Sequence, residues 1–325
     1  MIGTTFGRAH RIGSTLVALG LALGLAGCGD KGGGAGAKGA EAKKEIDADP
    51  IALLPSGALV VANVDTKAFL ASPSVGPQIA QLVERYATLP EEAGFKASRD
   101  VDRVTVGFYS MQGADGVAVL MGRFDAAKVK AFADAKGQTP RGPVVATQYA
   151  GRDVYTVSNI GCTVLTPKAA LCGTEGAIRR ALDRVRDGRI QRDVAPWMVQ
   201  TLETPNAAAT AAGDFSQVPL SQLGSGVPPW LSTLKTGRVL ADFKEPGINV
   251  AGSLSYDDPQ KAQGAADGIA QIGRLVGSTP MKLLGVPEVQ KLETKVEKND
   301  AQFSFALDDR AMRQLLVMTP KVVGQ

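Results

Sequence analysis

The chain has 325 residues, 44% of them hydrophobic and 21% charged, which supplies apolar surface for a sizeable core and excludes global disorder. Its formal charge of +4 comes from interleaved basic and acidic residues, so the composition does not mark a nucleic-acid binder. The one histidine, His10, lies in a segment expected to be removed. A mature chain without imidazole excludes Ser-His-Asp and Cys-His catalysis, histidine-ligated zinc and a histidine pH switch.

In chain order, Arg8, His10 and Arg11 form a basic head, followed by the uncharged stretch Thr15 to Gly27, which is rich in Leu, Ala and Gly. It ends in Leu25-Ala26-Gly27-Cys28. This order of charge, apolar core, small residues and cysteine resembles a bacterial lipoprotein precursor. The resemblance implies cleavage between Gly27 and Cys28, acylation of Cys28, and a bilayer as partner. Its 13 uncharged residues are too few to span a hydrocarbon core that needs about 20, whereas two or three acyl chains suffice as an anchor. In Gram-negative lipoproteins an aspartate directly after the cysteine favours inner-membrane retention; Gly29 stands there, which implies a periplasm-facing place on the outer membrane. Loss of Arg8 and Arg11 leaves 34 basic against 32 acidic residues, a formal +2.

Residues 28–49 read as the lipidated cysteine and a flexible Gly/Ala/Lys tether, nearly free of large apolar residues. As a coil, 21 residues have a mean reach of roughly 25 Å, enough to hold a domain clear of lipid headgroups.

From Ile51 onward the order of elements looks duplicated. A strand at Leu59 to Val64 ends at Asp65, a helix N-cap, and a helix pair with Val75, Ile79, Leu82, Val83 and Tyr86 on one face follows. Next comes a hairpin, 104–109 with 117–121, around a turn containing Gly113 and Gly116. Asp125 then caps a helix that buries Val129 and Phe132. Strands at 148–149, 154–157, 162–166 and 169–173 lead to Thr174, read as the cap of an Arg-rich helix. That helix buries Ile178, Leu182 and Val185 and turns Arg179, Arg180, Arg184 and Arg186 to solvent.

The second half repeats the order. A strand at 207–213 precedes Asp214 and a broken helical stretch with Leu220, Leu223, Trp230, Leu231 and Leu234, and a hairpin runs from 238 to 256 through Glu245-Pro246-Gly247. Asp257 or Asp258 caps a helix with Pro259 at its first position and Ala266, Ile269, Gly273 and Val276 on its buried face. A last hairpin turns at Asn299-Asp300, and Asp308 caps a helix with Met312, Leu315 and Leu316. Period-two alternation with polar partners predicts an α+β fold of two tandem similar modules, 50–192 and 204–320, each a mostly antiparallel sheet with helices on one face. Leu54-Pro55-Ser56-Gly57-Ala58 and Arg99-Asp100-Val101-Asp102-Arg103-Val104 are similar to stretches of uncharacterised bacterial lipoproteins with tandem α+β domains, a resemblance that brings no catalytic residue.

Motifs with chemical meaning are sparse. Ser232-x-x-Lys235 and Lys235-Thr236-Gly237 match penicillin-recognising enzymes one by one, but sharing Lys235 prevents the two motifs from converging. The pairs Glu91-Glu92, Asp257-Asp258 and Asp308-Asp309 suit helix starts better than a catalytic cleft. Asp100-Val101-Asp102 starts like a calcium loop, but Val104 and Val106 fill the next ligand positions. Gly173-Thr174-Glu175-Gly176 is too short to cradle phosphate. No catalytic set, cofactor or metal site is expected.

Cys162 and Cys172 flank Pro167 at equal distance, so a three-residue turn at 166–168 would set them opposite each other in a hairpin, within reach of a disulfide in an oxidising compartment. The expected function is a non-enzymatic binding or structural module of the cell envelope. The alternatives are an envelope assembly or inhibitory factor acting on another protein, or a histidine-free hydrolase using Ser or Asp.

Overall fold

The computed structural model describes residues 45–73, 75–110, 115–218, 220, 227–244, 247–278 and 288–314. Cys28 and the tether to residue 44, Gly113, Leu223, Glu245, Pro246, Leu315 and Leu316, together with the side chain of Tyr86, lie outside the described residues.

The strands are β1 (Val60–Asp65), β2 (Val101–Phe108), β3 (Gly116–Gly122), β4 (Gln138–Thr139), β5 (Gly142–Pro143), β6 (Val145–Tyr149), β7 (Arg152–Val157), β8 (Ile160–Thr166), β9 (Ala169–Thr174), β10 (Ala209–Asp214), β11 (Thr236–Lys244), β12 (Gly247–Ser255), β13 (Gln290–Glu297) and β14 (Asp300–Asp308). All but β4 and β5, which form a small ribbon, join one sheet of twelve strands in the order β13-β14-β12-β11-β10-β1-β2-β3-β9-β8-β7-β6. Every neighbouring pair is antiparallel.

Two separate sheets were expected, and one continuous sheet is found. The difference lies in β1, whose free edge does not end a module but pairs with β10, from Val60 opposite Gly213 to Val64 opposite Ala209. A strand edge left open exposes a row of main-chain donors and acceptors, and each half closes the other's edge.

The helices include α1 (Thr66–Leu70), α2 (Gly76–Tyr86), α3 (Ala126–Asp134), α4 (Glu175–Arg186), α5 (Pro196–Leu202), α6 (Pro229–Ser232) and α7 (Pro259–Val276), besides the single turns Pro50–Leu53, Glu91–Ala93 and Ala97–Asp100. Asp65 caps α1 by accepting from the Ala68 amide at 3.0 Å, Asp125 caps α3 through Ala127 and Lys128, and Asp258, not Asp257, caps α7 through Gln260 at 2.7 Å. Asp308 accepts from Ala311 in the same way at the end of β14. Thr174 stands at the N-cap position of α4 without a capping bond; its hydroxyl meets Asp115 instead, at 3.3 Å.

Helices were expected on one face, yet they cover both faces of the N-terminal half. Val61, Val117, Val119 and Leu171 pack against Ile178, Leu182, Met198 and Leu202 of α4 and α5 on one side. Tyr155, Val157 and Cys162 pack against Leu89, Val129 and Ala133 on the other. The cause is visible in β3 and β9: Val117-Ala118-Val119-Leu120-Met121 and Ala169-Ala170-Leu171-Cys172 contain no polar partner, so both of their faces demand cover. In the C-terminal half, α6, α7 and the residues after Asp308 cover the second face. There the first face carries Arg238, Ser253 and Gln302 in one cross-strand row.

Two charged groups depart from a solvated role. Arg184, expected on the exposed face of α4, is 3% exposed and donates to Asp193 and to the Gln191 carbonyl, each at 2.6 Å. Asp100 is 6% exposed and accepts from Arg99 and from the Lys96 amide. Ile46, ahead of the first strand, is 1% exposed within the main core.

The hydrogen bond from Arg99 holds the Asp100 carboxyl below its ordinary range, against the opposing push of burial and with help from the Lys96 amide. A carboxyl lowered on folding stabilises the native state fully above the ordinary carboxylate range and loses that contribution as pH falls through its folded value. Asp100→Asn should therefore lower stability at neutral pH and flatten the acid limb of the stability profile, read by urea denaturation from neutral to acid pH.

Candidate apolar cavity

The second face of the N-terminal half is not filled. Between the sheet and helices α2 and α3 lies a cavity of about 540 Å³, within the range of small-ligand sites. Its floor is built from alternate residues of adjacent strands, Val64, Val104, Leu120, Ala170 and Val164, which the antiparallel register places side by side. Ile79, Leu82 and Val83 of α2, Val129 of α3, and Phe69, Phe95 and Phe124 form walls and roof. Phe95 stacks on Phe124 with ring centroids 5.7 Å apart, which braces one wall.

Ala170, opposite Leu120 in the β3–β9 register, is the smallest residue of that floor row. An apolar lining gives water few partners, so the site favours an apolar occupant.

Polar groups at the cavity are few: Thr66, Thr88, Asp125, Tyr155 and Thr163. Burial pushes the Tyr155 hydroxyl above its ordinary range, and Asp153 adds to that shift. No lysine, arginine or histidine is among the lining residues.

Cys162 and Cys172 belong to this wall and are joined by a disulfide. They stand directly opposite in the β8–β9 register with Cα atoms 4.1 Å apart. The pairing was legible but its geometry was not. Thr166 pairs with Ala169, so the turn has two residues, Pro167 and Lys168, and a register shift between Val164 and Thr166 absorbs the odd residue. A three-residue turn and a two-residue turn with one bulged residue put the same two cysteines face to face.

The other residues singled out by sequence lie apart from the cavity. Ser232 donates to the Pro229 carbonyl at 2.6 Å, while Lys235 stands 3.9 Å from Asp257. Asp102 pairs with Lys67 at 3.0 Å and with Arg123 at 3.4 Å. Glu91 pairs with Lys96 and Arg99, and Glu175 with Arg179. The arginines of the basic cluster all meet acids: Arg180 with Asp115, Arg186 with Asp183 and Asp187, Arg189 with Asp187, and Arg192 with Asp49 and Glu203. Among the described residues, no three acidic, cysteine or histidine side chains converge as metal ligands. No helix of the described residues is long and apolar enough to cross a membrane.

Sequence reasoning missed the cavity. Its signal was the pair of uninterrupted apolar strands, β3 and β9, since strands apolar on both faces need a second layer.

The disulfide fixes the β8–β9 wall, and opening it releases a short loop. Reduction should lower stability by about 2 to 3 kcal/mol. Thiol alkylation of denatured, non-reduced protein followed by intact-mass measurement should add no alkyl group at Cys162 or Cys172.

No protein-family profile and no curated protein matches the chain. Solved structures of TP0453 are similar to it in fold. Crystal form III aligns with a TM-score of 0.54 at 10% identity over 83% of this chain and 98% of that one. Crystal form I gives 0.54 at 11% over 83% and 97%, and form IV gives 0.51 at 11% over 83% and 96%. At this identity the likeness is one of fold alone.

Proposed function

We propose that the protein is a lipid-anchored, periplasm-facing envelope lipoprotein whose body is a non-enzymatic binding module, and that the cavity takes an apolar ligand of the acyl-chain class. The cavity carries this reading: about 540 Å³, walled by aliphatic and aromatic side chains, on a scaffold of paired strands. Anchorage rests on Leu25-Ala26-Gly27-Cys28. A disulfide in the body supports an oxidising compartment, as the lipobox does.

The same reading includes duplication. Outward from the central pair, β1-β2-β3 is mirrored by β10-β11-β12, and β9-β8 by β14-β13, with α3 and α7 at corresponding places in the chain. β6 and β7 extend one half only. This order supports two related modules fused through one sheet.

Two measurements test the proposal. The purified protein should bind N-phenyl-1-naphthylamine, an uncharged apolar fluorophore, saturably and with one site. Leu82→Trp, which fills the cavity from α2, should weaken that binding at least about tenfold. Binding unchanged by Leu82→Trp would place the ligand elsewhere and overturn the reading. Cys28→Ala should leave an unprocessed or soluble form in cell fractionation; full-size mature protein still in the membrane fraction would remove the anchor.

A further inference from the structure

The apolar floor continues past the cavity. Residues two apart in a strand share a face, so Ala62, Val106 and Ala118 carry on from the floor positions Val64, Val104 and Leu120 along β1, β2 and β3. These three stand opposite one another in register. The row they form reaches Cys172 on one side and, through the β1–β10 pair, Ala211 and Val239 on the other. From Cys172 to Val239 the row crosses the strands β9-β3-β2-β1-β10-β11, a span of about 24 Å.

All the residues of this row are apolar, and none is fully buried. Phe108, two places beyond Val106 on the same face, is 46% exposed. Past Val239 the row meets Gly252, which pairs with Phe303, and the Phe303 ring lies over that glycine. A strip of small and aliphatic side chains therefore leaves the cavity, crosses the seam between the two halves and stops at an aromatic ring. The opposite face of the same C-terminal strands carries Arg238, Ser253 and Gln302, as suits a sheet face turned to water. A contiguous apolar surface of this extent marks a contact site.

Continuity decides what the strip contacts. Cys172 both lines the cavity and stands in the row, so a chain leaving the cavity can lie along the row without crossing a polar or charged side chain. We propose that the ligand is a single long alkyl or acyl chain, one part of which fills the cavity while the remainder lies on the row from Ala118 to Val239, touching both halves of the sheet. This rests on the apolar-ligand reading above and adds a length to it, since only a chain too long for the cavity reaches Ala211 and Val239.

The test sets decyl maltoside and hexadecyl maltoside, uncharged and each below its micelle concentration, in competition with N-phenyl-1-naphthylamine on the purified protein. A methylene moved from water onto apolar surface raises affinity by up to about fourfold, so hexadecyl maltoside should compete at least about thirtyfold better than decyl maltoside. Ala211→Asp sets a carboxylate under the chain; it should cut that ratio at least about tenfold and leave decyl maltoside and the probe unchanged. Val239→Thr keeps the side-chain shape and adds only a hydroxyl, so it serves even if aspartate disturbs β10, and it should cut the ratio about threefold. A wild-type ratio near one, or a ratio unmoved by both variants, would overturn the proposal and leave the apolar-ligand reading standing. A ligand-free dimer in sedimentation that Ala211→Asp splits would give the row to a second copy and also overturn it. Wild-type protein that binds neither the probe nor decyl maltoside would overturn both readings.

Discussion

The pairing of β1 with β10 is the constraint on which the architecture depends. It joins strands some 150 residues apart in the chain, Val60 to Gly213 and Val64 to Ala209. Without it each half would end in an exposed central edge. The pair is reinforced by a buried polar link across three strands: Thr105, fully buried, donates to Asn63 at 3.2 Å, and Asn63 and Thr210 each donate to the Leu202 carbonyl at 3.4 Å. That carbonyl ends α5, so one set of bonds fixes β2, β1 and β10 and seats a helix over the seam. Main-chain ladders are indifferent to side chain, but a half-buried amide and two buried hydroxyls are satisfied in one register only.

The sheet so formed has two characters. Where both faces are apolar, as in β3 and β9, helices are needed above and below, and the height of the upper layer is set by its tallest contacts. Ala170, among valine and leucine neighbours, belongs to the floor of the cavity under that layer. Where one face is polar, as along Arg238, Ser253 and Gln302, no second layer is required, and helices gather on the other side. The cavity lies over this apolar floor, with helices and the segments around Leu89, Phe95 and Phe124 closing its sides. Its floor is made of strands paired on both sides, and its cover is made by α2 and α3.

Local chemistry was the most legible part of the sequence. Asp65, Asp125, Asp258 and Asp308 each cap the helix they precede, because an N-cap bond spans two or three residues and needs nothing distant. The Cys162–Cys172 bond was legible for a related reason: direct opposition in a hairpin depends on a sum of positions that two turn geometries share. What was not legible is what depends on segments outside the element being read. Arg184 reads as one more arginine on an exposed helical face until Asp193 and the Gln191 carbonyl fold back over it. The face of α7 read from Ala266, Gly273 and Val276 is the packed one, with Gly273 close against Leu292, but full burial is confined to Ala262, Ala265 and Ala266, and the C-terminal turns leave Ile272 and Leu275 about half exposed. Periodicity gives a face but not how far along the helix that face stays covered. The union of the two halves escaped for the same reason, since nothing within β1 or β10 names the other.

The disulfide and the cavity depend on each other through the wall they share. Cys162 belongs to the cluster that includes Leu89, Val129 and Tyr155, so its sulfur lies among the side chains that hold α3 and the 89–95 segment over the sheet. The bond ties β8 to β9, and β9 ties that pair to β3, whose Leu120 is part of the floor. An empty apolar site of this size favours collapse, because closing it recovers dispersion contacts that the lining otherwise lacks. Collapse would require the helices to descend or the β8–β9 hairpin to bend toward them. The covalent cross-strand bond opposes the second route, and the Asp125 cap with the Phe95–Phe124 stack opposes the first. These three features lie at different points around the void, and each restrains an element that would otherwise close it.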